Sequence, residues 1–388
     1  MIVQGLIWLT FVLFSLGQIG RLSFFGQQVN VYAYEISIFL LLLTLFWQYQ
    51  FKPFIFFKTK MRIAILFFLI LFLSLVFNSS KFTLFENAVG FLYFSRILFY
   101  ALYFLYLSYH VYKNKKDIHF IIQGFYIFAG LTIMTTLIQY FLYPDLMNLK
   151  YLGWDPHYYR AFGLFLDTFI AGAIYGLIFL FFYFEDKKLK LNPIVKYIFM
   201  SIYLIYIFLT YARSLYIAFF ITIFFALLKS KKLKLFLLII ALFIGLLTVV
   251  PKQKGEGVNL GRLYSIYSRL GDYQTAGKIW LKKPFLGWGY NRIRYVKKQL
   301  NLISEKDFDI THAGASFHSS FLIILVASGI LGLLIFILLL FKLSLISPLM
   351  TFSVLLLSLL SLTDNVLLLP FTMFILLTFA VMINPSRR

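Results

Sequence analysis

The chain contains no cysteine, only 9 prolines in 388 residues, and 14 acidic side chains against 36 Lys and Arg. The first absence removes disulfides, thiolate metal sites and cysteine nucleophiles together. Charge of either sign is scarce: 13% of residues are charged while 62% are hydrophobic, at a mean hydropathy of +0.88. Soluble domains hold about 45–50% apolar residues, so a soluble fold is excluded. Several signatures of chemistry are missing as well. There is no Gly-x-Gly-x-x-Gly, no Walker loop and no fixed-period repeat. No Gly-x-Ser-x-Gly marks a hydrolase elbow. His110, His119, His157, His312 and His318 lack zinc-ligand spacing. Asp307-Phe308-Asp309 is the kind of acidic triplet that arises by chance.

What fills the chain instead is a succession of apolar runs. They lie near 2–19, 32–49, 63–78, 87–109, 118–142, 163–184, 194–211, 213–228, 235–250, 319–341, 347–362 and 366–383. A helix needs about 20 such residues to cross the ~30 Å hydrocarbon core of a bilayer. The reading is all-α: residues 1–388 form a single integral membrane domain, a polytopic bundle of about twelve transmembrane helices. The first run lacks a basic lead and a small-residue cleavage site, so it is expected to remain as a span. The seventh and eighth meet at Tyr211-Ala212-Arg213 and form either two spans or one broken helix. Lys and Arg cluster in alternate short loops, at Lys52–Arg62, Lys113–Lys116, Lys187–Lys196 and Lys229–Lys234, and Arg387 and Arg388 close the chain. By the positive-inside rule those loops and both termini are cytoplasmic.

That topology places the long polar interval 251–316 outside, where it holds 12 Lys and Arg against 5 Asp and Glu. Long loops translocate regardless of charge, so this basicity is not a topology signal and points to an anionic partner. Nucleic acid is a poor partner on that face. Much of the net charge of +22 is ordinary positive-inside charge beside anionic membrane lipids. Within the interval, Arg262 and Arg269 are seven apart and share one face of a predicted helix. Pro284 stops that helix, and Gly287-Trp288-Gly289-Tyr290 forms a turn. The stretch from Arg292 to Gln299 reads as a short basic amphipathic helix of the kind that rests on lipid headgroups.

Polar groups in or beside spans are costly and mark function. Arg96 lies mid-span and requires an internal partner, Glu35 or Glu86. Arg213 stands between two spans at the outer boundary, Arg160 just ahead of the sixth, and His318 opens the span that the basic interval feeds. Arginines with one histidine suit a substrate bearing a diphosphate leaving group. Guanidinium forks bind phosphate oxygens bidentately and stabilise the charge that develops as the sugar–phosphate bond breaks. A neutral imidazole takes the proton from the attacking hydroxyl. Such a site uses no metal and no cofactor.

Four ordered elements between roughly 155 and 345 carry a family resemblance. They are Arg160-Ala-Phe-Gly163 with Asp167; Tyr211-Ala212-Arg213-Ser214; Arg269, Ile279-Trp280 and Pro284-Phe-Leu-Gly287-Trp-Gly289; and His318-Ser319-Ser320, followed by Ser328-Gly329-Ile-Leu-Gly332. Together they resemble signatures of the bacterial O-antigen ligase and O-antigen polymerase superfamily. Ala212, Ser214 and Ser319 stand where that family often has Ser, Gly and Asn. The resemblance implies a metal-independent glycosyltransferase of GT-C type, acting on the periplasmic face of the inner membrane, with 251–316 as one large helical loop capping its cavity. It implies an undecaprenyl-diphosphate-linked glycan as donor and lipid A-core, or a growing glycan, as acceptor, with ligation ahead of polymerisation. Carried over, Arg213 and Arg269 hold the diphosphate and His318 is the general base. Arg160, Arg262, Gly287, Gly289 and Arg292 are the further expected substrate-binding residues. A transporter or flippase of lipid-linked anionic glycans is the reading from another class, and it calls for matched inverted halves.

Overall fold

The structure is a computed structural model that describes residues 2–59, 61–152, 154–184, 192–249, 264–303 and 316–383, together with Val258 and Phe308. A helix lies on each of the twelve apolar runs. In chain order, with shorter helices included, the elements are α1 (Ile2–Phe14), α2 (Ala33–Tyr49), the short α3 (Lys52–Phe57), α4 (Arg62–Phe77), α5 (Leu84–Lys113) and α6 (Ile118–Leu142). There follow α7 (Thr168–Phe184), α8 (Pro193–Leu209), α9 (Arg213–Lys229) and α10 (Leu233–Val249). Then α11 (Tyr264–Leu281) and α12 (Ile293–Gln299) lie in the basic interval, ahead of α13 (Ser320–Ser344), α14 (Pro348–Leu360) and α15 (Pro370–Met382). Three stretches, Leu84–Lys113, Lys115–Leu142 and Ser320–Ser344, are long and apolar enough to cross a membrane on length and composition alone.

Local chemistry sets many of the boundaries. Thr83 accepts from the Glu86 N–H while Glu86 accepts from the Thr83 N–H at 2.8 Å, a capping box that starts α5 three residues before its apolar run. Ser319 and Ser347 cap α13 and α14, and Pro348 occupies the first turn of the latter. One element departs from the all-α expectation. Arg21–Phe24 (β1) pairs antiparallel with Val29–Tyr32 (β2), and Gly26 turns between them at φ +60°.

The bundle is organised around α7, in which every residue from Ile170 to Phe182 is buried. It packs against α8, α9, α14 and α15. Gly172 and Gly176 make the closest of these approaches possible, because a Cβ at either would collide with Leu215 of α9 or Leu356 of α14. This small-xxx-small spacing is a familiar way to bring apolar helices together in lipid. Arg96 finds the first of its two expected partners: its Nε and Nη2 donate to the two Glu35 oxygens at 2.7 Å each, and the Tyr100 hydroxyl adds a third bond at 2.7 Å. A bidentate pair of this kind satisfies a charge that could not be left alone inside a span.

The loops gather at two ends. At one, Gln4 and His110 both reach Asp117, at 3.0 and 2.8 Å, and the Tyr106 hydroxyl donates to the Gln50 carbonyl at 2.7 Å. This end carries Lys52, Lys58, Lys113, Lys115 and Lys116. At the other, Tyr295 reaches Gln28 of the hairpin at 2.7 Å, the Ala161 N–H reaches the Leu209 carbonyl at 2.9 Å, and Arg269 reaches the Thr363 carbonyl at 2.7 Å. The basic interval thus sits on the end that holds the 143–167, 210–212 and 361–369 connections.

Candidate active site

The frame of the site is a broken helix. Gly329 interrupts α13 with φ +68° and ψ −170°, which frees hydrogen-bonding groups on either side of it. The turn after α11 takes them up. Trp288 N–H donates to the Val326 carbonyl at 2.9 Å, Gly289 N–H to the Ala327 carbonyl at 2.8 Å, and Ile330 N–H to the Pro284 carbonyl at 2.8 Å. The indoles of Trp280 and Trp288 secure the same turn through the Pro284 and Ile279 carbonyls, each at 3.0 Å. Gly287 and Gly289 adopt φ +65° and +102°, and a Cβ at Gly287 would strike the Val326 and Ala327 backbone. Gly287 needs glycine for its close backbone approach to α13, and Gly289 for its positive φ and for the Arg292 and Leu75 side chains that pack against it. The turn thereby fixes α11 against the start of α13, where His318 stands.

His318 lies in the turn just before α13, with its ring 40% exposed. Asp272 of α11 sits beneath it. Its Oδ2 accepts from the His318 backbone N–H at 2.7 Å and meets Nδ1 at 2.6 Å. A carboxylate can only accept, so the Nδ1 proton points at Asp272 and Nε2 is the lone-pair nitrogen of the neutral ring. The Asp272 hydrogen bond lifts His318 above its ordinary value; burial opposes this, Asp364 supports it, and Arg269 pushes the other way. Burial pushes Asp272 upward, but its bonds from His318 prevail and hold it below the usual carboxylate range. The result is an oriented imidazole of raised basicity.

One arginine lies within electrostatic reach of His318, and a second within reach of the first. Arg269 is one turn before Asp272 on α11; its Nε donates to the Thr363 carbonyl, and its guanidinium lies 5.3 Å from the Phe169 ring. The Arg269 Nη atoms have no hydrogen-bond partner among the described residues. Burial lowers its proton affinity, as does the charge of Arg213, while Asp364 supports it. Arg213 is the first residue of α9, after an extended Ala212 and a left-handed Tyr211 at φ +49°. The two runs that meet here are therefore separate helices, and the N–H groups at the start of α9 share the neighbourhood of the Arg213 side chain. Asp364 and Asp167 complete the group. Burial raises both carboxyls; His318 and Arg269 pull Asp364 back, and His157 does so for Asp167. Asp167 is also tied to the start of α7, accepting from the Phe169 and Ile170 N–H groups at 2.7 and 2.8 Å.

The remaining expected residues are placed differently. Arg160 is 1% exposed; its Nε donates to the Thr210 carbonyl at 2.6 Å and its Nη1 lies 3.3 Å from His157 Nδ1. It closes the C-terminal end of α8 just ahead of Arg213. Arg292, fully buried, donates from Nη1 to the Leu75 carbonyl at 2.9 Å and from Nη2 to Asn87, with Phe82 beneath the guanidinium at 4.6 Å. It belongs to the contact of α12 with α4 and α5. Arg262 lies outside the described residues, as do Asp307 and Asp309. The picture of α12 on lipid headgroups is also revised. Ile293, Tyr295, Val296 and Lys297 are all buried, so its apolar face is taken up by protein.

Asp272 and Asp364 are the members that sequence reasoning overlooked. A signal for the first was present: Arg269, Asp272, Ala276 and Ile279 form one helical stripe, and Ala276 and Ile279 are fully buried. Apolar helices with an Arg- and His-bearing site where the long loops gather define a polytopic membrane protein. The model of the family described as O-antigen ligase matches residues 198–337, so that stretch of the chain is similar to the O-antigen ligase family. Members of that family are glycosyltransferase-like membrane enzymes of lipopolysaccharide biosynthesis. The matched stretch runs from α8 into α13 and takes in Arg213, Arg269, Gly287, Gly289 and His318, while Arg160 precedes it. No curated protein matches the chain.

Proposed function

We propose that this protein is a GT-C-type glycosyltransferase of about twelve spans that moves a glycan from undecaprenyl diphosphate to an acceptor sugar, at the outer face of the inner membrane. The observation that carries the reading is the His318–Asp272 pair, with its ring partly open, within electrostatic reach of Arg269, which in turn feels the charge of Arg213. His318 Nε2 takes the proton of the acceptor hydroxyl, whose oxygen attacks the anomeric carbon. The bond from that carbon to the phosphate oxygen breaks, and undecaprenyl diphosphate departs with the electron pair. Arg213 and Arg269 hold the charge that collects on the leaving group. Arg160 acts one step back, by fixing the break between α8 and α9 from which Arg213 projects. Gly287 and Gly289 act through the docking of α11 on α13.

Lipid A-core is the proposed acceptor, in keeping with the description of the matched family. The glycan pattern of a deletion strain tests this. Loss of a ligase leaves bare lipid A-core and polymer still on undecaprenyl diphosphate. Loss of a polymerase leaves cores carrying a single repeat unit, and unchanged lipopolysaccharide and capsule would remove both. Sided labelling at Lys232 and Asn301 tests the orientation, with the two expected on opposite faces.

A further inference from the structure

At the site end of the bundle, a cleft of about 770 Å³ opens between the 80–86 segment, α12 and the hairpin. It falls within the ~300–1,000 Å³ usual for small-molecule clefts. Its walls alternate in chemistry. Phe85 and Phe308 supply ring surface with the buried Phe82 and Tyr295 behind them, and Gln28, Gln299 and Asn301 supply amides between them. This is the mixture a sugar chain requires, since a pyranose presents C–H faces to rings and hydroxyls to amides. A lipid tail or an apolar peptide would match the rings alone and make no use of the amides or the lysines. The walls are also tied together: Tyr295 OH donates to Gln28 at 2.7 Å, and Gln299 donates to the Lys81 carbonyl at 2.9 Å.

The charge in the cleft is one-sided. Lys81 and Lys298 line it and are exposed, and Lys298 lies 4.7 Å from the Phe308 ring. Glu86, the acid among the lining residues, is committed to the Thr83 N–H at the start of α5. Behind Lys81, the Lys283 ammonium rests 4.1 Å from the Trp288 ring. Burial, together with the adjacent Lys81 and the charge of Arg292, pushes Lys283 down to about 8. The surroundings therefore carry more positive charge than their acids balance. The cleft also communicates with the reacting centre. On α12, Tyr295 and Lys298 line the cleft, while Lys297 reaches back to the Ser316 carbonyl at 2.7 Å and the Phe317 ring at 4.3 Å, next to His318.

We infer that this cleft is a binding site for an acidic glycan, with sugar rings against its aromatic walls and carboxylates at Lys81 and Lys298. The inference rests on the glycan-transfer reading and deepens it: the cleft holds part of a chain whose reacting end lies at His318. The test uses the full-length protein in nanodiscs, with tetragalacturonate and neutral maltotetraose as probes, titrated by saturation-transfer NMR. Tetragalacturonate is expected to bind, and Lys81→Gln with Lys298→Gln to weaken it about ten-fold, the loss of two partly screened ion pairs. Phe85→Ala should weaken it too, while His318→Ala leaves binding intact. Equal binding of maltotetraose, or insensitivity to the lysine and Phe85 variants, overturns the proposal. Loss of binding in His318→Ala would place the probe in the reacting centre and overturn it as well. Displacement of the probe by phosphatidylglycerol in the nanodisc would assign the cleft to lipid headgroups and reject it. A normal glycan pattern in the deletion strain, with binding retained, would reject the transfer reading and leave the cleft standing.

Discussion

Replacing Asp272 by Asn removes one negative charge from beneath His318 and almost no volume. Two hydrogen bonds converge on its Oδ2, from the His318 N–H at 2.7 Å and from Nδ1 at 2.6 Å, so the amide oxygen can keep the geometry while losing the charge. A hydrogen bond to a charged group is worth ~1.5–3 kcal/mol, which corresponds to about a 10- to 150-fold slower transfer. The pH profile carries the sharper test. On the proposed mechanism the neutral ring is the base, so the rate is expected to fall as pH drops through the raised His318 value. In Asp272→Asn the hydrogen bond from His318 to an ionised acceptor is gone, and burial and Arg269 gain weight against Asp364, so His318 titrates lower. The acid limb should therefore move to lower pH while the plateau drops, because a less basic ring is a poorer proton acceptor. The assay is kcat against pH in proteoliposomes with an undecaprenyl-diphosphate-linked glycan, alongside thermal melting. A plateau and limb both unmoved would refute the role of Asp272. A lowered Tm with an unmoved limb would make it a strut and nothing more.

Arg269→Ala removes one cation from the leaving-group side and should slow transfer by about 10- to 150-fold, with KM for the lipid-linked donor raised; Lys278→Ala, exposed on the same helix, should leave both unchanged. Gly329→Ala puts a Cβ on the Phe285 carbonyl at a residue with φ +68° and ψ −170°, a glycine-only region that alone costs ~1–3 kcal/mol. It should lower Tm and open the turn at Lys282-Lys283 to trypsin. Glu35→Gln leaves the Arg96 guanidinium without its charge partner in the core and should destabilise by ~3–5 kcal/mol, read as a fall in Tm that Glu35→Gln with Arg96→Met partly restores.

The helices were legible because an apolar run longer than a strand has few other places to go in a membrane protein. Their ends were less so, since ends depend on capping. The fourth run reads as 87–109, but the Thr83–Glu86 box and a polar-tolerant last turn extend its helix to Leu84–Lys113. The last run begins at 366, yet Val366 to Leu369 are apolar residues of a loop, and the helix waits for Pro370. The hairpin escaped notice because its strands are only 4 residues each. In the site, Arg213, Arg269 and His318 stood out as costly groups beside spans. Arg160 and Arg292 stood out for the same reason, and spacing does not show that the fold ties them to main-chain carbonyls. Asp364 was hidden because a single acid in a short connection has no periodicity to betray it.

The break at Gly329 has a bearing on how such chains can be recombined. The turn 284–289 and the residues 326–330 exchange backbone hydrogen bonds as two edges of one seam, although more than 36 residues separate them in sequence. Backbone bonds ask little of side-chain identity but a great deal of shape. The segment between α10 and α13 is consequently not a cassette that can be lifted from one relative into another to change specificity. A chimaera that moves 264–303 without the broken half of α13 would present two glycine-made surfaces that no longer mate.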